Sequence, residues 1–359
     1  MIVLVIIGVL IIFTILVVAH EFGHFSAARR EGVTVEEFGV GFPPRVFSRR
    51  KGKTLYSINL FPIGGFVRLK GEDGSEKGKG SFASLTFWPK TRIIMAGVVV
   101  NLLIAYLIFT FLLIIGIPPL GQDLPSFGPV KPSQSGESSL TVFGVTKDGS
   151  ASKGGIAQGD NIISIDNKPL EDYAQLRAYT IENKGKQVTI VISRNGQESS
   201  KTVMLGSDEK TGVLGVSAEK IQLTSYAWWA APFAALVLMV QFVLATLAAF
   251  GNLIIGLFAR REVSQQVSGP IGIVSVFSQI VNFGPRFVLL FVASISLSLA
   301  VINALPLPAL DGGRQFVLIL QKLGLKVTPE RENLYHLVGF VALISLMIII
   351  SISDIARMR

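Results

Sequence analysis

From Ile2 to Ala19 the chain runs eighteen residues without a charge and then meets His20-Glu21-Phe22-Gly23-His24. Eighteen such positions approach the ~20 that a helix needs to cross a hydrocarbon core of about 30 Å. The stretch is therefore expected to span a membrane and to bring three ionisable side chains to its end. Such groups are costly there and point to function. Three further runs of this kind follow, Ile93 to Ile115, Phe287 to Leu305 and Leu334 to Ile352. A chain so patterned is an integral membrane protein. The first run reads as a retained helix rather than a secretory signal: no basic residue precedes it, it exceeds a usual apolar signal core, and Arg29 and Arg30 follow it.

The net charge of +9 does not speak for nucleic acid. Its positive residues concentrate between Arg29 and Arg92, beside two of the spans, where cytoplasmic loops carry excess Lys and Arg and face anionic lipid. The chain has no cysteine, which excludes disulfides and thiolate metal ligands. With the Arg29 to Arg92 loop in the cytoplasm, the N-terminus and the residues after Pro118 lie outside. There a Pro, Gly and Ser linker, residues 118–139, leads into strand-like stretches such as KQVTIVISRNGQ, with Asn195-Gly196 as a hairpin turn signal. A soluble α+β module of roughly ninety residues is expected, within the usual size of a small domain. The apolar stretch Tyr226 to Phe258 is long enough to be a further span. Residues 267–284, VSGPIGIVSVFSQIVNFG, are too short and interrupted to bring the chain back simply. The stretch is therefore expected to lie at the outer interface without crossing.

On a helix, the i, i+4 spacing of His20 and His24 puts both imidazoles on one face, where they can share one metal ion. Zinc suits nitrogen and carboxylate ligands and keeps a fourth position for water, and Glu21 is then placed to take that water's proton. This is the chemistry of peptide-bond hydrolysis. Two of the three histidines in the chain frame the glutamate. For a third ligand the candidates are His336, at the start of the fourth run, and Asp311 in NALPLPALDGG. Asp311 is the better one, because Pro306 and Pro308 break the helix before it and can turn the carboxylate back toward the bundle. His336 reads as an interfacial residue.

Two resemblances sharpen the reading. SASKGGIAQGDNIISIDNKPLEDYAQL, residues 150–176, resembles the core of a bacterial PDZ domain. Gly159 suits a tight turn, Asp166-Asn167 a short hairpin, and Glu171 or Asp172 a helix cap. PDZ domains bind extended peptides at a sheet edge, so a peptide or protein partner is implied. HEFGH in the first span, GVVVN at Gly97 to Asn101 and NALPLPALDG at Asn303 to Gly312, in that order and with the PDZ-like module between the second and third, resemble the site-2 protease family of intramembrane zinc proteases, closest to its RseP branch.

The resemblance covers nearly the whole chain. It implies zinc ligands His20, His24 and Asp311, the catalytic Glu21, and substrate contacts at Asn303, Asn101, Gly64 and Gly65. The last two lie in INLFPIGGFVRL, residues 58–69, which matches the family's membrane-re-entrant β-hairpin. The branch is best known with two tandem PDZ domains, and this chain has room for one. The expected protein is thus a multi-span α-helical membrane protein of four transmembrane helices with a re-entrant β-hairpin and an inserted α+β PDZ domain. Residues 1–121 and 221–359 form its membrane parts and residues 122–220 the module. Its expected place is a bacterial plasma membrane, with the N-terminus and the module outside and the active site near the cytoplasmic side. Its expected partners are the bilayer and single-span membrane proteins, cut within their transmembrane segments, such as anti-sigma factors or remnant signal peptides. A non-catalytic PDZ-containing adaptor is the alternative, and it leaves HEFGH and LDG unexplained.

Overall fold

The computed structural model of the chain describes residues 2–74, 76–120, 124–126, 131–170, 172–194, 196–207, 213–256, 259 and 269–357. The expected turn residue Asn195, the alternative cap Glu171, parts of the linker 118–139 and residues 267–268 lie outside these. The chain forms two compact units, one of Met1–Leu107, Met239–Phe277 and Val292–Arg359, the other of Ile108–Leu238 and Ser278–Phe291.

Among the described residues five helices are long and apolar enough to cross a membrane: α1 (Ile2–Arg30), α2 (Phe87–Ile115), α5 (Ala231–Ile255), α7 (Pro285–Ala304) and α9 (Pro329–Arg357). Several are rich in Val and Ile, residues that favour strands in water. In hydrocarbon every backbone N–H needs an internal partner, and a helix provides it within one segment. Four of the five are the expected runs, and α5 is the Tyr226 to Phe258 stretch. Between α5 and α7 lies the short α6 (Pro270–Ile280), whose proline sits at the first helical position, where its missing N–H costs nothing. The buried Asp354 of α9 caps this helix, accepting from the N–H groups of Gly269 at 2.9 Å and Gly272 at 2.8 Å.

In the first unit, β1 (Val35–Lys51) and β2 (Thr54–Leu69) follow α1. Residues 58–69 are expected to fold on themselves as a hairpin, but the pairing differs. Residues 37–40 of β1 pair on one side with 55–58 of β2, and residues 35–40 on the other with 65–69, while 45–51 pair with 54–59. The two halves of β2 therefore straddle the first half of β1. The reversal at Pro62 to Gly64, with Gly64 at φ +79, carries the chain around Phe42 instead of closing a two-strand turn. Residues 65–69 form the outer strand, paired on one side only among the described residues.

The tip of this sheet runs along α1: the Thr14 hydroxyl donates to the carbonyl of Pro62 at 2.6 Å. Thr14 precedes His20 by six residues, so the tip reaches about 9 Å beyond the histidine toward the middle of the first span. Around it Phe42, Phe47, Ile58, Leu60 and Phe61 are exposed, as an apolar surface in lipid would be.

The second unit holds a sheet in the order β7-β6-β4-β3-β8, with β5 beside β4. Its strands are β3 (Ser133–Val145), β4 (Asn161–Ile165), β5 (Lys168–Pro169), β6 (Gln187–Arg194), β7 (Gln197–Met204) and β8 (Val216–Ser225), with helices α3 (Ser150–Lys153) and α4 (Tyr173–Glu182) between them. Alternation in β6 puts Val188, Ile190 and Ile192 into a core shared with Leu140, Ile165 and Leu176. The local signals behave as expected. Asp166 and Asn167 take positive φ in the β4–β5 turn, Gly159 has φ +90, and Asp172 caps α4 by accepting from Gln175 N–H at 2.8 Å. Asp160, fully buried, accepts two hydrogen bonds from Arg194 at 2.6 and 2.7 Å, which tie the Gly155 to Asp160 turn to the end of β6. That hydrogen bonding raises the Arg194 pKa further above its usual value. The closing strand β8 runs through Ser225, five residues past the expected end of the module at Lys220.

Candidate active site

His20 and His24 leave α1 on one face, as their spacing requires, and that face packs on α2 at two glycines. A Cβ on Gly23 would come within 2.6 Å of the Ala96 carbonyl oxygen, and one on Gly97 within 2.5 Å of His24 Nε2 and 2.6 Å of His20 Nε2. Gly97 is therefore what leaves room for the two imidazoles. From the other side comes Asp311, the first residue of α8 (Asp311–Lys322). Its placement depends on the loop after α7, where Ala309 takes φ +69. Gly312 and Gly313 let the first turn of α8 lie on that loop, since a Cβ on either would come within 2.1 Å of a backbone carbonyl oxygen, of Leu305 and Leu307 respectively.

Three donor atoms converge. His20 Nε2 and Asp311 Oδ2 are 2.9 Å apart, His24 Nε2 and Asp311 Oδ2 3.3 Å, and the two Nε2 atoms 3.1 Å. Tetrahedral zinc with bonds near 2.0–2.1 Å separates its ligand atoms by about 3.3 Å, so the trio has the spacing that such an ion requires. The tautomers agree. His24 Nδ1 donates to the Ile93 carbonyl at 2.8 Å, which leaves the Nε2 lone pair for a metal. Behind His20, the fully buried amide of Asn101 stands 3.3 Å from Nδ1, and its Oδ1 has no partner among the described residues. Turning that amide over exchanges two atoms of the same shape. It lets Oδ1 accept the Nδ1 proton and frees His20 Nε2 in the same way.

These groups open on a cleft lined by Glu21, Phe66, Val67, Asp311, Arg314 and His336, among others. Gly65, at the start of the outer strand, lies beside the catalytic candidate: a Cβ there would meet Glu21 Cγ at 3.6 Å, and one on Gly64 would meet Val17 at 3.6 Å. Glu72, just after that strand, accepts from Leu69 N–H and from the Arg314 guanidinium. This ion pair ties the sheet to the helix that carries Asp311. Burial acts against the Arg314 charge, and Glu72 more than offsets it, holding the pKa above the usual value.

The expected residues thus fall into three groups. His20, Glu21, His24 and Asp311 come together, with Gly64 and Gly65 alongside. Asn101 is buried behind His20 instead of lining the cleft. Asn303, near the end of α7, is half-buried and has no hydrogen-bond partner among the described residues. Gly97 and the Glu72–Arg314 pair were not singled out for the site, and His336, weighed there as a third ligand and read as interfacial, lines the cleft. The spacing of Gly97 and Asn101, four apart on one helix face, was the available signal for the first.

Comparison with known proteins gives the same answer. A model of peptidase family M50 matches residues 8–346. A protein of Clostridium perfringens carried under the name of a zinc metalloprotease is 30% identical over 355 residues, covering 98% of each chain. The zinc metalloprotease RasP of Geobacillus kaustophilus is 27% identical over 438 aligned positions, and the regulator of sigma-W protease RasP of Bacillus subtilis 26% over 442, each covering 98% of both chains. This chain belongs to peptidase family M50, the site-2 proteases, and is an intramembrane zinc metalloprotease.

Proposed function

We propose that His20, His24 and Asp311 hold the zinc and that Glu21 moves the protons of hydrolysis, on substrates presented as transmembrane segments of single-span membrane proteins. The convergence of two Nε2 atoms and a carboxylate oxygen, from residues 291 positions apart, at a cleft that Glu21 lines, carries this reading. Zinc in such a site supplies Lewis acidity toward a carbonyl oxygen and toward water. Glu21 takes a proton from the attacking water and returns one to the leaving amine. Asn101 holds His20 in the ligating tautomer, as partners behind metal-bound histidines do. A helical substrate hides its carbonyls in its own hydrogen bonds, so it has to unwind before it is cut and then needs other partners. The open edge of residues 65–69 offers them beside Glu21, and the Asn303 amide is a further candidate.

The topology follows from the site. Bringing Asp311 to the depth of His20 requires α1 and α7 to run in the same direction, both toward the cytoplasm, with α2 and α9 running outward. The chain between α2 and α7 then crosses an even number of times. Asp354 lies eighteen residues beyond His336 on α9, about 27 Å away along the helix, and it holds the start of α6 at that far, outer end. This favours α5 at the outer interface and four crossings in all.

The second unit acts as one extracytoplasmic PDZ domain. Apart from a bridge between Thr224 and Ile117, its strand β8 pairs only with β3 among the described residues. The groove between β8 and α4, walled by Leu176, Thr180, Leu214 and Val216, suits an added peptide strand. Substrates of the anti-sigma-factor kind fit the relative named for sigma-W regulation, and remnant signal peptides share the same single-span form. The test is cleavage in proteoliposomes with the cut mapped by mass spectrometry. The bond should lie inside the substrate's apolar segment, and a chelator should stop the reaction until zinc is restored. Cuts confined to the flanking soluble residues would refute the reading.

A further inference from the structure

His336 lines the cleft with Glu21 and Asp311, although the sequence suggests an interfacial residue. Its Nδ1 takes a hydrogen bond from the backbone N–H of Ala309 at 2.9 Å. An N–H only donates, so Nδ1 carries the lone pair and the neutral ring has its proton on Nε2. That Nε2 is buried and has no partner among the described residues. A buried donor left unsatisfied is costly, and in a native structure such a group calls for a reason.

One side of the ring has an evident structural task. Ala309 is the positive-φ residue of the loop that aims Asp311, and α9 braces this loop at two more places. The Tyr335 hydroxyl donates to the Pro306 carbonyl at 3.1 Å, and Gly339 is so close to Pro308 that a Cβ would come within 2.2 Å of it. A brace needs only Nδ1. It leaves the Nε2–H unexplained, and that atom belongs to a ring lining the cleft.

We propose that His336 is a further substrate-binding residue, whose Nε2–H donates to a backbone carbonyl oxygen of the unwound substrate in the cleft. The inference rests on the assignment of that cleft to Glu21 and the three metal ligands. Extended backbone inside hydrocarbon has acceptors that water cannot reach. The strand edge at 65–69 serves one line of the substrate backbone, and His336 serves a carbonyl from the part of the cleft built by α9 and the Ala309 loop. The donor is closed off and unpaired in the free enzyme, a cost relieved when the ring shifts to meet the substrate carbonyl.

Two conservative variants separate donor from brace. In His336→Asn the side-chain oxygen stands where Nδ1 stood and can still accept from Ala309, but the Nε2 donor is gone. In His336→Gln an amide nitrogen stands where Nε2 stood, and the acceptor for Ala309 is lost. With the full-length enzyme, its zinc content and a reconstituted single-span substrate, His336→Asn should keep about one zinc per chain and lose roughly tenfold to hundredfold in kcat/KM. His336→Gln should stay well above it. Activity of His336→Asn equal to wild type, or at or above that of His336→Gln, would overturn the donor role, as would loss of zinc in His336→Asn sufficient to account for its defect. Glu21→Gln in the same assay keeps the two readings apart: if it still cuts, the assignment of the cleft has failed, whatever the histidine variants do.

Discussion

Gly97 and Asn101 illustrate how narrow the tolerances at the metal site are. A side chain on Gly97 would occupy the space of both Nε2 atoms, so Gly97→Val is expected to abolish zinc retention while α2 itself still forms, since Val fits a membrane helix. Asn101→Leu removes only the partner of His20 Nδ1 and should weaken zinc about 10–100-fold, read by competition against a chelator series. Unchanged affinity in Asn101→Leu would mean that packing alone fixes the His20 ring. The convergence of the proposed ligands was legible in the sequence because their geometry is local: i, i+4 spacing sets the histidines, and prolines followed by Asp-Gly-Gly set the turn. The role of Asn101 was not legible, because it arises where α1 meets α2 across 81 residues of sequence. The same holds for His336, whose partner at Ala309 sits 27 residues away in another element.

At the scale of elements, the Asp160–Arg194 pair holds the second unit's sheet to its leading turn. Asp160 is buried and the Arg194 side chain about half exposed. Arg194→Ala leaves the carboxylate without its charged partner and should destabilise the module by roughly 2–3 kcal/mol, less than for a fully buried pair because solvent screens the exposed side. Denaturant unfolding of residues 131–226, which keep β8 whole, measures this. A loss below about 0.5 kcal/mol would show that water replaces Arg194 at little cost. Single elements of this unit were readable because turn chemistry is written in one or two residues, as at Asp166-Asn167 and Asp172. Pairing was less so. The alternation and glycines of residues 58–69 correctly marked strands, but β1 enters between the two halves of β2, and only the packing of both against α1 decides that order.

For the whole molecule the composition spoke clearly on membrane residence, whereas the expectation that α5 does not cross had to rest on the short, interrupted return segment, because hydropathy measures length and polarity and not direction. Single cysteines introduced at Lys53, Lys147 and Lys326 of this cysteine-free chain resolve it with an impermeant thiol reagent. In intact cells only the Lys147 position should label, and labelling at Lys326 as well would require α5 to cross alone. The catalytic assignment is tested most directly by comparing wild type with Glu21→Gln in reconstituted cleavage of a single-span substrate, with zinc content measured on the same preparations. Glu21→Gln should hold about one zinc per chain and cut 10²–10⁴-fold more slowly, the range that a positioned acid–base group contributes. Cleavage at the wild-type rate with zinc in place would contradict the account.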